Sequence, residues 1–257
     1  KHREFDLSIY SKAYIEQIIH HRLSIHSMES FDEYKAYLQT NPYEVELLNL
    51  NLLNSYSTFF RNRFTFETLR NAILPMYHSK NVDNSEIRIW SVACAGGHEA
   101  YSLAILFETF NGYNSSKLNY RIFATDKIYS EIEHAVIGIY SEADIANMTH
   151  TETDNWMLKI DSKYKINSTL KKNIQFELFD LLQNEVFCPK SSIFGSFDII
   201  MCANVLFYYN EQIQQRIIKG LRKSLSDNGL IVTGEIERAI FLKQGFVEIY
   251  PYSCIFK

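Results

Sequence analysis

The chain has 257 residues, 46% of them hydrophobic, with 18 Phe and 17 Tyr, enough to enclose one large core or a small helical domain beside an α/β one. With only 9 Gly and 4 Pro it is neither a low-complexity nor a disordered chain. A net charge of -4 provides no general basic surface for nucleic acid, no apolar run approaches the roughly 20 residues that cross a bilayer, and no signal-peptide pattern opens the chain.

From Phe5 to Tyr77 the pattern is helical. Phe5, Leu7, Ile9, Tyr10, Tyr14, Ile15, Ile18 and Ile19 recur at near-helical spacing. Ser30 has the place of an N-cap for a helix through Tyr34 and Leu38, and Pro42 can open the next, which carries Val45, Leu47, Leu48, Leu52 and Leu53. The turn-rich link Asn81-Val82-Asp83-Asn84-Ser85 follows, so the expected division is a helical domain over 1–80 and an α/β domain over 81–257, the boundary lying between His78 and Glu86. Beyond it, strand and helix patterns alternate, which predicts a largely parallel sheet.

Ile87 to Val92 is an apolar run that passes through Ala93-Cys94-Ala95-Gly96-Gly97 into a helical pattern opened by Glu99. Such a turn lets backbone at Ala95 and Gly97 approach a nucleotide-like ligand, because glycine lacks the Cβ that would block it. Glu99 can accept from a ribose or an amine, although a first-turn glutamate is also favoured by the helix dipole. A second strand pattern, Tyr120 to Asp126, ends in the acid that an open α/β sheet offers to a ribose. The segment 161–177 alternates like paired strands and is the expected site of a small antiparallel insertion. Phe197 to Cys202 is a further buried-strand pattern, followed by Ala203, Asn204 and Tyr208.

Four ordered blocks of this chain resemble the chemotaxis protein methyltransferases of the CheR type. Ser57-Thr58-Phe59-Phe60-Arg61 is similar to T-x-F-F-R, and Trp90 to Ala104 is similar to W-S-A-A-C-S-T-G-E-E-P-Y-S-L-A. Ala124-Thr125-Asp126 is followed by Gly138-Ile139-Tyr140, and Phe197 to Val205 by Tyr208. The resemblance covers nearly the whole chain. It implies a class I, Rossmann-like methyltransferase domain behind an all-helical one. S-adenosylmethionine is the implied cofactor, S-adenosylhomocysteine its product, and a glutamate carboxylate of a chemoreceptor-like signalling protein the acceptor. The region of the small insertion would then contact receptors, with recruitment to membrane receptors but no insertion into the membrane.

The implied cofactor positions are Ser57, Arg61, Ala95, Gly97, Glu99, Asp126, Asp180, Leu181, Ala203 and Asn204. Asp180 and Leu181 stand where the family has an Asn-Leu pair near the adenine. The implied catalytic groups are Arg61, whose guanidinium can hold a carboxylate in a fixed fork, and Tyr208, whose phenol can orient the acceptor. Each has a structural alternative: Arg61 a helix-surface arginine or a partner for the cofactor's own carboxylate, Ser57 a turn former, Tyr208 a core aromatic. Phe59 and Phe60 read as packing.

Departures concentrate on the acceptor side. Ala203 replaces the arginine of C-R-N-V, His98 and Ala100 replace Glu and Pro of G-E-E-P-Y-S, Ser55 replaces an Asn, and Asn210 an Asp. Two further readings therefore stand: a scaffold or sensor that binds the cofactor without turnover, or a methyltransferase for another acceptor. Against a nucleic-acid amine as that acceptor, Asn204-Val205-Leu206-Phe207 lacks an N-P-P-Y-like clamp. The eight histidines have no ligand spacing, and no G-x-S-x-G elbow is present, so neither a metal nor a serine hydrolase is expected. Four scattered cysteines without C-x-x-C spacing read as buried thiols in a reducing cytoplasm. The chain opens on Lys1 rather than Met, as part of something longer would.

Overall fold

The computed structural model describes residues 6–52, 56–80, 85–182, 187–193 and 195–257. They form two compact units, Lys1–Ser55 with Val205–Arg216, and Tyr56–Asn204 with Ile217–Lys257.

The first unit is helical. A single 3-10 turn at Leu7–Ile9 leads into α1 (Lys12–His26), capped by Ser11, whose hydroxyl accepts the Tyr14 N–H. Then come α2 (Phe31–Thr40), capped by Ser30 as its sequence place predicts, and α3 (Pro42–Asn51), which Pro42 opens behind the Asn41 cap. Phe5 and Leu53, the outer members of the apolar pattern, lie outside the described residues. The later segment joins this unit through backbone bonds: Ser11 N–H donates to Tyr208 O at 2.8 Å and Asn210 N–H to Ile9 O at 2.9 Å.

The second unit opens with α4 (Arg63–Thr68), which runs through a π-helical turn at Leu69–Ile73 into α5 (Leu74–Lys80). Residues 56–80 thus pack with the α/β body. The expected boundary from His78 to Glu86 falls inside this unit, and Asn81 to Asn84 of the anticipated link lie outside the described residues. The central sheet follows: β1 (Ile87–Val92), α6 (His98–Tyr113), β2 (Tyr120–Asp126), α7 (Tyr129–Ile137), β3 (Ile139–Tyr140), α8 (His150–Trp156), β4 (Met157–Ile160), β5 (Lys163–Ile166), β6 (Ile174–Leu178), β7 (Phe197–Cys202), α9 (Glu211–Ser224), β8 (Leu225–Thr233), α10 (Arg238–Lys243) and β9 (Ile255–Phe256).

Six strands run in the order β6-β2-β1-β7-β8-β9, all parallel except β9. Rows of aligned residues explain the unbroken apolar runs. Ile122, Ile89, Ile199 and Leu230 lie side by side in one row, and Phe123, Trp90, Ile200 and Ile231 in the next, each buried. Both faces of a parallel sheet are covered, so alternation disappears from its strands. Trp90 keeps its indole N–H satisfied by donating to Thr125 Oγ1 at 3.0 Å.

The small antiparallel sheet has the order β3-β5-β4. It begins at Ile139, earlier than the expected 161–177. Ile174–Leu178 belongs instead to the edge of the central sheet, paired parallel with β2. An edge strand with one face covered alternates in the same way as a hairpin arm, which is why the pattern misled.

Candidate active site

The strand ends of the second unit carry the candidate residues. After β1 the chain turns through Ala93 at φ 52°, Ala95 at φ 46° and Gly97 at φ 87°. Alanine in this left-handed region costs of order 1–2 kcal/mol, so the turn needs external bonds to hold it. Cys94 N–H donates to Thr125 O at 2.9 Å and Ala95 N–H to Asp126 Oδ2 at 2.9 Å. A Cβ at Gly97 would lie 2.8 Å from that of Ala135, so the helix α6 can start this close to α7 only with glycine there.

Asp126 also accepts Ile128 N–H on Oδ1 at 2.9 Å, and only 6% of it is exposed. Burial pushes its carboxyl up, while the two backbone donors oppose the shift. The residue expected to meet a ribose thus also braces the loop, with a lone pair left on each oxygen.

Glu99, in the first turn of α6, accepts the Ser91 hydroxyl at 2.6 Å. Burial pushes its carboxyl up to about 8; Ser91 opposes this, Glu237 adds to it and Arg61 opposes it. At neutral pH this keeps Glu99 mostly protonated. Its neighbour His98 is buried between the rings of Phe59 and Tyr140, with Nε2 3.4 Å from Asp144 Oδ1. Burial brings its imidazole down to about 4, Asp144 opposing, so His98 is neutral at pH 7.

The segment before α4 lies over this helix. Phe59 N–H donates to Asp144 O at 3.0 Å, and Phe60 N–H to Ser102 Oγ at 2.9 Å, which in turn donates to His98 O. Phe59 and Phe60 are fully buried, packing as expected, and Ser57 is half-buried. Arg61 emerges exposed, donating to Tyr56 O at 3.0 Å with its guanidinium 5.6 Å from the Tyr56 ring centre. Among the described residues no carboxylate lies within ion-pair distance of it, although it is close enough to Glu99 to favour that carboxylate. Arg63, two residues on, is committed elsewhere, to Glu152 at 2.8 Å.

At the end of β6, Phe179 N–H donates to Asp126 O at 2.8 Å, which brings Asp180 and Leu181 beside the β2 terminus. Asp180 Oδ1 accepts Leu182 N–H at 2.9 Å, and Leu181 is buried. At the end of β7, Ala203 and Asn204 are half-buried, Asn204 at φ 62°. Glu237, fully buried after β8, holds that turn. Its Oε2 accepts the Asn204 N–H at 2.7 Å, the Thr233 hydroxyl at 3.0 Å and the Gly234 N–H at 3.2 Å. Reading the sequence missed Glu237. An acid four residues beyond the apolar run ending at Thr233 was its available signal, but Glu235, two residues earlier, is also an acid just past the same run.

Tyr208 falls in the first unit, with its ring centre 4.0 Å from that of Phe207 and 4.6 Å from that of Tyr14. The other sequence-predicted residues, Ser57, Arg61, Ala95, Gly97, Glu99, Asp126, Asp180, Leu181, Ala203 and Asn204, all belong to the second unit. Among the described residues no group of three or more His, Cys, Asp or Glu side chains is placed to hold a metal ion. Nor is any described helix long and apolar enough to cross a membrane.

Comparison with known proteins gives two adjoining matches. Residues 1–53 match the family described as CheR methyltransferase, all-alpha domain, and residues 55–249 match CheR methyltransferase, SAM binding domain. Similar relatives include a chemotaxis protein methyltransferase of Borreliella burgdorferi, 29% identical over 237 residues that make up 90% of this chain and 82% of the relative. A protein of the same name from Listeria monocytogenes is 28% identical over 91% of this chain and 85% of its own. One from Escherichia coli is 25% identical over 88% and 76%. Matched in both its helical and its cofactor-binding parts, the chain belongs to the CheR family of S-adenosylmethionine-dependent methyltransferases.

Proposed function

We propose that this protein transfers a methyl group from S-adenosylmethionine to a glutamate side chain of a chemoreceptor-like signalling protein, and that Arg61 presents the acceptor carboxylate. The observation that carries this reading is the exposed Arg61 guanidinium, steadied by Tyr56 on one side and without an ion-pair partner among the described residues. Planar and forked, it is suited to grip a carboxylate through two parallel N–H bonds. The name shared by the three relatives described above, chemotaxis protein methyltransferase, supports the choice of acceptor.

The donor set fits the cofactor. Asp126 keeps one lone pair per oxygen for a vicinal diol, Glu99 can face the amino acid ammonium, and the backbone of Ala95 and Gly97 lets the ligand come close. Asp180 and Leu181 are the corresponding acceptor and backbone donor for an adenine edge, Ser57 offers a hydroxyl, and the Ala203–Asn204 turn lines the methyl-donor end. Bound there, S-adenosylmethionine supplies an electrophilic methyl on a sulfonium sulfur. The acceptor needs no general base, because a glutamate with an ordinary pKa of about 4.3 is already ionised. The task left to the chain is alignment of an oxygen with the methyl and exclusion of water from it.

The test is transfer of labelled methyl from S-adenosylmethionine to a chemoreceptor cytoplasmic domain, followed by alkali treatment. Release of the label as methanol is expected, since carboxyl esters are base-labile, and Arg61→Lys should lower the rate by roughly 10–100-fold, the worth of a lost charge-assisted bond. Alkali-stable label would mean a nitrogen acceptor and end the reading. One feature favours binding without turnover: Ala203 puts a methyl group where the family has a cation. If that reading holds, the wild-type chain binds cofactor without transferring methyl, and Ala203→Arg gains transfer.

A further inference from the structure

We propose that Glu237 is a positioning residue of the cofactor pocket, which fixes the Asn204 turn from beneath and adds a second negative charge beside Glu99, so that the pocket takes up a cationic amine and releases a proton. This rests on the reading above that Glu99 faces the cofactor's ammonium.

The geometry begins with burial. A fully buried carboxylate is costly unless donors compensate it, and Glu237 gathers three on one oxygen, two of them from the backbone of the strand ends. One of these donors is Asn204, a non-glycine residue at φ 62° that needs such a bond to stay in that conformation. Packing is close enough that a Cβ on Gly234 would come within 2.9 Å of Asn204 Nδ2. Loss of the Glu237 carboxylate therefore frees the turn at the end of β7.

The second part follows from the register of three adjacent strands. Ser91, which holds Glu99, is aligned with Met201 of β7, and the next β7 residue, Cys202, is aligned with Thr233 of β8, which holds Glu237. The two carboxylates are thus anchored on strands that flank β7, and the Cys202 thiol is raised first by its burial, then by Glu237 and then by Glu99. The groups that act on Glu99 are the Ser91 hydroxyl, Glu237 and Arg61, with the buried thiols of Cys94 and Cys202, neutral because burial pushes both far up. Burial first, and then the charge of Glu237 against one exposed guanidinium, favours a proton on Glu99 until another cation arrives. An ammonium group replaces it: the Glu99 O–H bond breaks, its electron pair stays on the carboxylate facing the ammonium, and the proton leaves to solvent.

Titration calorimetry of the full chain with S-adenosylhomocysteine at pH 7, repeated in buffers of different ionisation enthalpy, counts the protons released. Wild type should release close to one proton per ligand. Glu237→Gln keeps the shape but removes the charge, so it should release distinctly less. Glu237→Asp keeps the charge but retracts it from Asn204, so it should release as many protons as wild type while binding roughly tenfold more weakly, the scale of one lost charged hydrogen bond. Glu237→Gln with unchanged proton release, or Glu237→Asp with unchanged affinity, overturns the proposal; should Glu237→Gln not fold, the aspartate variant decides. If wild type binds and releases protons but Glu99→Gln does so equally, the fault lies in the role given to Glu99, not in Glu237.

Discussion

At the scale of single residues, Asp126 and Glu99 show how the same functional group is tuned by its surroundings. Asp126 is bridged by two backbone N–H groups, so Asp126→Asn both removes the acceptor proposed for the diol and turns an amide against one of those donors. S-adenosylhomocysteine affinity should fall by roughly 10–100-fold in calorimetry, and an unchanged affinity would remove Asp126 from the site. Glu99 and His98 set opposing pH dependences in the ligand-free protein. The Glu99 carboxyl rises from 4.5 to about 8 on folding, so its contribution is full below pH 4.5 and is lost as pH climbs to 8. The His98 imidazole falls from 6.5 to about 4, so its contribution is lost as pH drops from 6.5 to 4. Their slopes oppose each other between pH 4.5 and 6.5, leaving an uncompensated decline from 6.5 to 8. That decline amounts to about 1 kcal/mol after allowance for solvent at the partly exposed Glu99. Urea denaturation at pH 6.5 and 8 should show it in wild type and not in Glu99→Gln. These environments were not legible in the sequence, because Ser91 and Glu237 reach Glu99 only through strand alignment.

At the scale of elements, the helical unit is tied by one buried carboxylate. Glu44 on α3, 1% exposed, accepts from Arg22 Nε of α1 at 2.7 Å and Tyr34 OH of α2 at 2.6 Å, with His26 Nε2 3.0 Å away. Burial alone would raise its carboxyl, but Arg22, Tyr34 and His26 together hold it down at about 2. Its contribution is therefore complete above pH 4.5 and fades only as the pH falls toward 2. Glu44→Gln leaves the Arg22 charge buried and uncompensated, so chemical denaturation of the helical unit should move by about 3–5 kcal/mol. A loss below about 1 kcal/mol, the worth of a surface pair, would show that the cluster is not what joins the three helices. The caps of these helices could be read directly, since Ser11, Ser30 and Asn41-Pro42 act locally. The partner of Glu44 could not, because Arg22 lies 22 residues away and nothing in the intervening sequence distinguishes it from Arg3 or Lys35.

At the scale of the whole molecule, the central strands were legible because Ile87–Val92, Tyr120–Asp126 and Phe197–Cys202 are covered on both faces and carry unbroken apolar runs. Ile174–Leu178 is half-covered at the edge and imitates a hairpin, and Tyr56–Lys80 is helical in pattern yet packs with the sheet, so periodicity could place neither. The helical unit itself is assembled from two stretches far apart in the chain: Ser11 donates to Phe207, 196 residues away, and Tyr10 bridges to Tyr209. Read as an order of events, this makes the helices α1–α3 wait for a segment that follows β7. During synthesis α1, α2 and α3 precede the sheet, but the strand-like pairing of Tyr10 and the ring contact of Tyr14 with Tyr208 must stay open until every strand through β7 has been made. A unit whose helices are made before the sheet is thus completed only after most of the sheet exists.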